Sequence, residues 1–260
     1  MEEILNMELL TINGLRKSFG GITAIESLNF SVKSEMILGI IGPNGAGKTT
    51  LFNLVTGFLA PDSGSVKFDG TELVGKKPYE IVNLGIARTF QIVRPFLGMS
   101  VMDTLVIPSK SARVESLGIS LNEIEARNRQ ILDRFRLGSK ANEIVENLNQ
   151  GELRLLDIGR ALATEPKLLL LDEPFSGLGH ENIEILTQLL SMLRDKGISV
   201  LIIEHRLREL MKIVDRVMVI NFGEKICEGN PAQVVRDKRV IEAYLGEKGT
   251  EIGVFKNNRP

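Results

Sequence analysis

The 260-residue sequence predicts an α/β fold with a mainly parallel sheet, an N-terminal antiparallel β subdomain and an inserted helical subdomain. Three observations carry that expectation. Short apolar runs at 36–41, 167–171 and 198–203 each fit a buried strand, and the latter two alternate with helix-like stretches. Residues 7–32 instead alternate short apolar runs with turns at Asn13-Gly14 and Gly20-Gly21, as antiparallel strands do. Between Gln91 and Leu148 the chain becomes charge-rich and is broken by Pro95, Gly98 and Pro108.

The elements follow in order. Met7 to Val32 gives the antiparallel strands, and Met36 to Ile41 a short buried strand. A helix over about 48–58 comes next and is closed by Pro61-Asp62-Ser63-Gly64. Ser65 to Gly70 alternates like an edge strand, Pro78 to Asn83 suits a short helix, and Ile86 to Phe90 a strand. Inside the insertion, Leu121, Ile124, Ile131, Leu132 and Phe135 give a helix over 121–135 its apolar face. Asn149 to Ala163 is a second helix, with Asn149 as cap and Glu152 in the capping-box position. After the strand at 167–171, a helix over 181–193 turns Ile185, Leu189 and Met192 to one side. The strand at 198–203 is followed by a helix at 207–214, and 216–220 pairs with 224–227 around Asn221-Phe222-Gly223. Short helices at 231–235 and 240–244 precede a polar tail, 247–260, to which no role is assigned.

A net charge of −1 offers no basic field for nucleic acid. The single cysteine, Cys227, forms no internal disulfide, fits a reducing cytosol and reads as a small apolar residue. Met1-Glu2-Glu3-Ile4 does not begin a signal peptide, and no run of 18 apolar residues suggests a membrane span. Docking onto a membrane partner stays open.

One stretch carries chemistry by itself. Gly42-Pro43-Asn44-Gly45-Ala46-Gly47-Lys48-Thr49-Thr50 fits the phosphate-binding pattern G-x-x-x-x-G-K-S/T, between a strand and a helix as the motif requires. Glycines let successive N–H groups converge on phosphate oxygens, and the helix start adds unpaired N–H groups and a positive dipole end. Lys48 is placed to reach β- and γ-phosphates, and the Thr49 hydroxyl to ligate Mg²⁺. The alternative, a plain glycine-rich turn, explains the pattern less well. The implied fold is a P-loop NTPase core binding a nucleoside triphosphate.

Two further strands end in ionisable residues, Asp172-Glu173-Pro174 and Glu204-His205. Ligands of open parallel sheets bind beyond the carboxyl ends of the strands, which would gather these groups near the phosphates. Asp172 is then a Mg²⁺ holder, Glu173 a general base for the attacking water, and His205 a partner of the γ-phosphate. Taken alone, Asp172-Glu173 also reads as a solvated strand end and His205 as a structural residue. His180 is expected exposed at a helix start.

Together these residues resemble the ATPase subunits of ATP-binding cassette (ABC) transporters over about Leu9 to Glu247. Phe19 stands where that family stacks an aromatic on adenine, and Gly42 to Thr50 form the P-loop. Gln91, after Arg88-Thr89-Phe90, matches the glutamine that contacts Mg²⁺ and senses the membrane subunit. Leu148-Asn149-Gln150-Gly151-Glu152 occupies the place of the signature Leu-Ser-Gly-Gly-Gln, continued by Ile158-Gly159-Arg160-Ala161-Leu162. Asp172-Glu173-Pro174 and His205 complete the series. Within the family, Gly85 to Gln91, Met99-Ser100-Val101, Ile203-Glu204-His205 and Ala243 to Glu247 are most similar to the cytoplasmic ATPases of branched-chain amino acid importers, with urea and other small-solute importers as the alternative.

The resemblance implies ATP hydrolysis with ATP and Mg²⁺, and catalytic roles for Lys48, Gln91, Glu173 and His205. It implies head-to-tail pairing with a second cassette, identical or not, in which Asn149, Gln150, Gly151 and Glu152 act on the partner's nucleotide. Two membrane permease subunits would dock near Gln91, and an external substrate-binding protein would act indirectly. The implied location is the inner face of the cell membrane. One nucleotide-binding domain over 1–260 is expected, with its core at 1–90 and 165–246 and its helical subdomain at 91–164. Two departures stand out. Within 149–152 only Gly151 keeps the signature's identity, and Gly179 replaces a common Asp. A soluble cassette for metallocluster assembly or nucleic-acid work lacks a supporting cysteine cluster, tandem cassette, coiled coil or basic stripe.

Overall fold

The computed structural model describes residues 8–245; the start of the chain and the tail expected at 247–260 lie outside the described residues. From the first residues onward come strands β1 (Glu8–Phe19), β2 (Ile22–Lys33) and β3 (Ile37–Ile41), helix α1 (Lys48–Val55), then β4 (Ser63–Phe68) and β5 (Thr71–Glu72). The middle of the chain holds α2 (Pro78–Leu84), β6 (Ile86–Arg88), α3 (Val101–Ser109), α4 (Ala112–Ser116), α5 (Leu121–Arg134), α6 (Gln150–Leu162), β7 (Leu168–Asp172) and α7 (His180–Asp195). The last part holds β8 (Ser199–Ile203), α8 (Leu207–Leu210), β9 (Arg216–Asn221), β10 (Glu224–Gly229), α9 (Pro231–Val234) and α10 (Lys238–Leu245). Contacts divide the chain into two compact units, 1–78 with 199–260, and 79–198.

The first unit contains two sheets. One is antiparallel, in the order β2-β1-β4-β5. Leu10, Ile12, Leu15, Ile25, Leu28, Val32, Val66 and Phe68 are buried on it. The carboxylate of Asp62 pins the end of β1 by accepting from the Ser18 N–H at 2.7 Å and from Lys17 at 2.9 Å. Ser65 to Gly70 was expected at an edge; β4 instead lies inside, because the two-residue β5 folds back on it through Lys67 and Phe68.

The other sheet of this unit runs β10-β9-β3-β8, with β3 parallel to both neighbours and β10 antiparallel. All five residues of β3 and of β8 are buried, which is why neither sequence alternates. Truncating one of them, such as Ile40 or Leu201, to alanine costs about 2–5 kcal/mol. The helix expected over 207–214 stops at Leu210. Its extension is cut short because Asp215 must already join the sheet: its carboxylate accepts from the Ile37 N–H at 2.8 Å and its N–H donates to the Ile37 carbonyl at 2.9 Å.

In the second unit β6 and β7 pair in parallel, Ile86 with Leu168 and Arg88 with Leu170. Helices α3, α5 and α6 bury Leu105, Leu132, Phe135 and Ile158. Gly159 permits the close approach of α5, since a Cβ there would lie 3.0 Å from Ile131 and 3.3 Å from Phe135. As expected around Pro95 and Gly98, residues 90–100 form no helix, whereas Val101–Ser109 is helical despite Pro108. Pro108 falls in the last turn of α3 and so ends that helix rather than preventing it. Side chains of Ser100, Ser120, Asn149 and Asn230 cap α3, α5, α6 and α9.

Candidate nucleotide site

The phosphate-binding loop joins β3 to α1 in the first unit, and its backbone explains its composition. Gly42, Gly45 and Gly47 all have positive φ, at 153°, 78° and 102°. A Cβ on Gly42 would lie 1.9 Å from the Ile220 carbonyl oxygen, and one on Gly47 2.3 Å from that of Ala24. Strands β9 and β2 therefore press on the loop from behind, and only glycine fits. Gly47 is the N-cap of α1 and supplies no side-chain hydrogen bond to it, and a helix N-terminus favours an anion.

Lys48 folds over the loop and donates to the carbonyls of Gly42 at 2.6 Å and Pro43 at 2.8 Å. Its ammonium is thus held against the loop backbone, while Thr49 is exposed and Thr50 half-buried. Pairing of Ile40 with Ile203 makes the loop and Glu204-His205 leave the same end of adjacent strands. The buried Glu204 carboxylate accepts from the N–H groups of His205 at 2.9 Å and Arg206 at 3.1 Å, fixing the turn that presents half-buried His205. Phe19 ends β1 with an exposed ring, and the Lys17 ammonium lies 5.5 Å from its centre.

The second unit brings the expected carboxylates together with Gln91. Asp172 is the last residue of β7 and is 2 % exposed. Burial pushes its carboxyl up, and Arg88, 3.2 Å away, pulls part of that shift back. Burial in turn lowers Arg88, whose guanidinium also lies 4.9 Å from the Phe90 ring. Glu173 follows with φ at 50°, an unusual left-handed conformation for a non-glycine residue, and accepts from the Gln91 amide at 3.1 Å.

The altered signature opens α6. Asn149 accepts from the Glu152 N–H at 3.0 Å, while the Glu152 carboxylate accepts from the Asn149 N–H at 3.0 Å and from Lys140 at 2.8 Å. Burial pushes the Glu152 carboxyl up, but Lys140 and the Asn149 N–H outweigh it and hold the group below the ordinary carboxylate value. Its charge is thus compensated within the chain. Gln150 is exposed and Gly151 buried. His180 is exposed at the start of α7, as expected, and Gly179 caps that helix.

A model of the family "ABC transporter" matches residues 25–176, and one of the family "Branched-chain amino acid ATP-binding cassette transporter" matches 224–250. The chain belongs to the ATP-binding proteins of ABC transporters, in the branched-chain amino acid transporter family. It is 36 % identical over 254 residues to the high-affinity branched-chain amino acid transport ATP-binding protein LivG of Escherichia coli K12, covering 94 % of this chain and 100 % of the relative. A probable LivG of Archaeoglobus fulgidus is 36 % identical over 258 residues, covering 95 % and 98 %. The crystal structure of MJ1267, an ATP-binding cassette, in its ADP conformation superposes with a TM-score of 0.82 at 34 % identity, covering 93 % and 100 %. The cassette is therefore an ATP-binding, ATP-hydrolysing subunit that works with permease subunits, and its α/β fold is that of the family.

Among the described residues no helix is long and apolar enough to cross a membrane. Nor do three or more His, Cys, Asp or Glu side chains gather there as a metal centre. The expected Mg²⁺ ligands are instead a hydroxyl, an amide and one carboxylate, from Thr49, Gln91 and Asp172. Such hard oxygen donors fit Mg²⁺, which usually takes one or two carboxylates and completes its shell with phosphate and water.

Sequence reasoning missed two arginines. Arg88 holds Asp172, and Arg154 on α6 donates to the carbonyls of Phe90 at 2.8 Å and Gln91 at 2.6 Å. Arg88 was within sight, directly before Thr89-Phe90-Gln91. Arg154 carried no signal, because its partners are backbone groups distant in sequence.

Proposed function

We propose that the cassette powers uptake of branched-chain amino acids from the inner face of the cell membrane. The observation that carries this reading is the bond from Gln91 to Glu173, made from a loop that also exposes Ile92 (74 %) and Leu97 (71 %). A polar group touching the expected general base and an apolar surface suited to docking share one short segment. Permease movement at that surface would shift Gln91 and so set the position of Glu173. The names of the LivG relatives and the match at 224–250 support the substrate class.

In this reading the P-loop, 42–50, holds the phosphates, with Lys48 on the β- and γ-phosphates and Phe19 against adenine. Thr49, Gln91 and Asp172 hold Mg²⁺, which supplies charge neutralisation on the phosphate oxygens. Glu173 takes the proton of the attacking water, and His205 hydrogen-bonds the γ-phosphate. Asn149, Gln150, Gly151 and Glu152 face the nucleotide of a second cassette, identical or homologous. Residues 91–164 serve as the helical arm that carries them, on a core of 1–90 and 165–246. Two permease subunits and, indirectly, an external binding protein complete the machine.

The test is reconstitution of the cassette with its permeases and binding protein. Leucine, isoleucine or valine should stimulate ATP hydrolysis. Stimulation by urea or another solute, with none by these amino acids, overturns the substrate class.

A further inference from the structure

Residues 90–97 belong to no helix or strand, yet they carry Gln91. Their polar anchors come largely from one face of α6, where Arg154, Asp157 and Arg160 stand three residues apart and so lie together. Arg154 is 8 % exposed and uses both terminal nitrogens as a fork, one on the Phe90 carbonyl and the other on the Gln91 carbonyl. Asp157 accepts from the Phe90 N–H. Arg160 donates to the Arg94 carbonyl at 3.1 Å and to Asp157 at 3.2 Å, and its guanidinium lies 4.1 Å from the centre of the Phe96 ring.

The grips are unequal. The fork of Arg154 is satisfied at both tips, whereas Asp157 Oδ2 and Arg160 Nε are buried without a hydrogen-bond partner. Charge-assisted bonds in a planar fork are both strong and directional. The Arg154 end is therefore the firm one.

We propose that Arg154 is a positioning residue for Gln91, and that with Asp157 and Arg160 it straps 90–96 to α6 so that this segment and the altered signature move as one body. The strap joins three parts within one unit: the signature at the start of α6, the backbone of Gln91, and Glu173 through the Gln91 side chain. Displacement of the loop is passed to Asn149 and Gly151 without passing through the hydrophobic core. This inference rests on the roles proposed above for Gln91 and Glu173. It adds the residue that holds Gln91 in place.

The test uses the full-length chain with Arg154→Ala, Arg154→Lys, Gln91→Ala and the Arg154→Ala/Gln91→Ala pair. Three quantities are measured: the turnover number, the Kd for a fluorescent ATP analogue, and hydrogen exchange of the 90–96 amides. Arg154→Ala should lower kcat by roughly 10- to 100-fold, as small misplacements of a reacting group do, without a matching change in Kd. Exchange across 90–96 should accelerate, and the double variant should be no slower than Gln91→Ala alone.

Lysine keeps the charge but not the fork, so Arg154→Lys should fall between wild type and alanine; it carries the test if the alanine variant fails to fold. Arg127→Ala, which removes an exposed partner of Glu165, is the control and should leave all three quantities unchanged. Wild-type exchange at 90–96 in both Arg154 variants overturns the strap. So do losses of kcat that multiply in the double variant, since Arg154 would then act apart from Gln91. Wild-type turnover in Gln91→Ala would strike the proposed role of Gln91, while the exchange result still decides whether the strap exists.

Discussion

The phosphate-binding loop and the signature both present a helix start, yet one keeps its family pattern whole and the other keeps only Leu148 and Gly151. Steric contacts explain the difference. Behind Gly42 and Gly47 stand backbone carbonyls of neighbouring strands, which cannot withdraw from an added Cβ. At Gly151 the nearest obstacle is the side-chain amide of Asn182, 2.6 Å from where a Cβ would sit, and no positive φ is involved. The loop is thus dictated by backbone geometry that only particular residues adopt. The signature needs a capped helix N-terminus, and several residue types supply that. Asn149 with Glu152 is one such solution.

The largest effects should fall on the side where identity is retained. Glu173→Gln removes the expected general base and should lower kcat by about 10²–10⁴-fold while ATP still binds and dimers accumulate. Steady-state hydrolysis with sizing chromatography checks this, and unchanged turnover would remove Glu173 from the chemistry. Lys48→Ala should act on binding itself. Losing charge-assisted bonds to phosphate weakens affinity by roughly 100-fold, read by titration of a fluorescent ATP analogue.

Paired alanine substitutions sharpen the comparison. Gly47→Ala places a methyl group against the Ala24 carbonyl at a φ of 102°, and should destabilise the protein by about 1–3 kcal/mol or more. Gly151→Ala should cost less, because the Asn182 side chain can turn aside. Equal losses of Tm in the two variants would break the steric account.

Smaller effects belong to the signature. Asn149→Ala deletes the cap of α6 and should cost about 1 kcal/mol in denaturant unfolding. Glu152→Gln restores the family residue, keeps an acceptor for the Asn149 N–H, and should shift stability by less than about 1 kcal/mol. It should also flatten a pH dependence. Because the folded Glu152 carboxyl lies below its ordinary value of 4.5, its stabilisation is complete above that pH and is lost as pH falls through the folded value. Acid titration of Tm in wild type should show this contribution and Glu152→Gln should lack it.

Much of the local backbone geometry of the candidate site was legible in the sequence. The glycines of 42–47, the strand-end carboxylates and the capping pair Asn149–Glu152 each announce a conformation within a few residues. The elements that went unread are set by distant partners. Helices α3 and α4 were hidden by Pro108, whose effect depends on where in a helix it falls. The inner position of β4 follows from two residues, Thr71 and Glu72, too few to register as a strand. Arg88 and Arg154 look like ordinary charges until Asp172 and the loop carbonyls are placed beside them.

The uncapped start of α1 has a consequence for the protein's lifetime as well as its chemistry. Helices α3, α5, α6 and α9 bring their own side-chain acceptors, but α1 offers only Gly47. In the proposed reading nucleotide phosphates bind at that helix start, which would link ligand binding to folding. At a nucleotide concentration about 100 times Kd, this linkage adds about 2.7 kcal/mol to the folded state. A cell depleted of ATP would therefore hold a cassette that is idle and also easier to unfold and degrade.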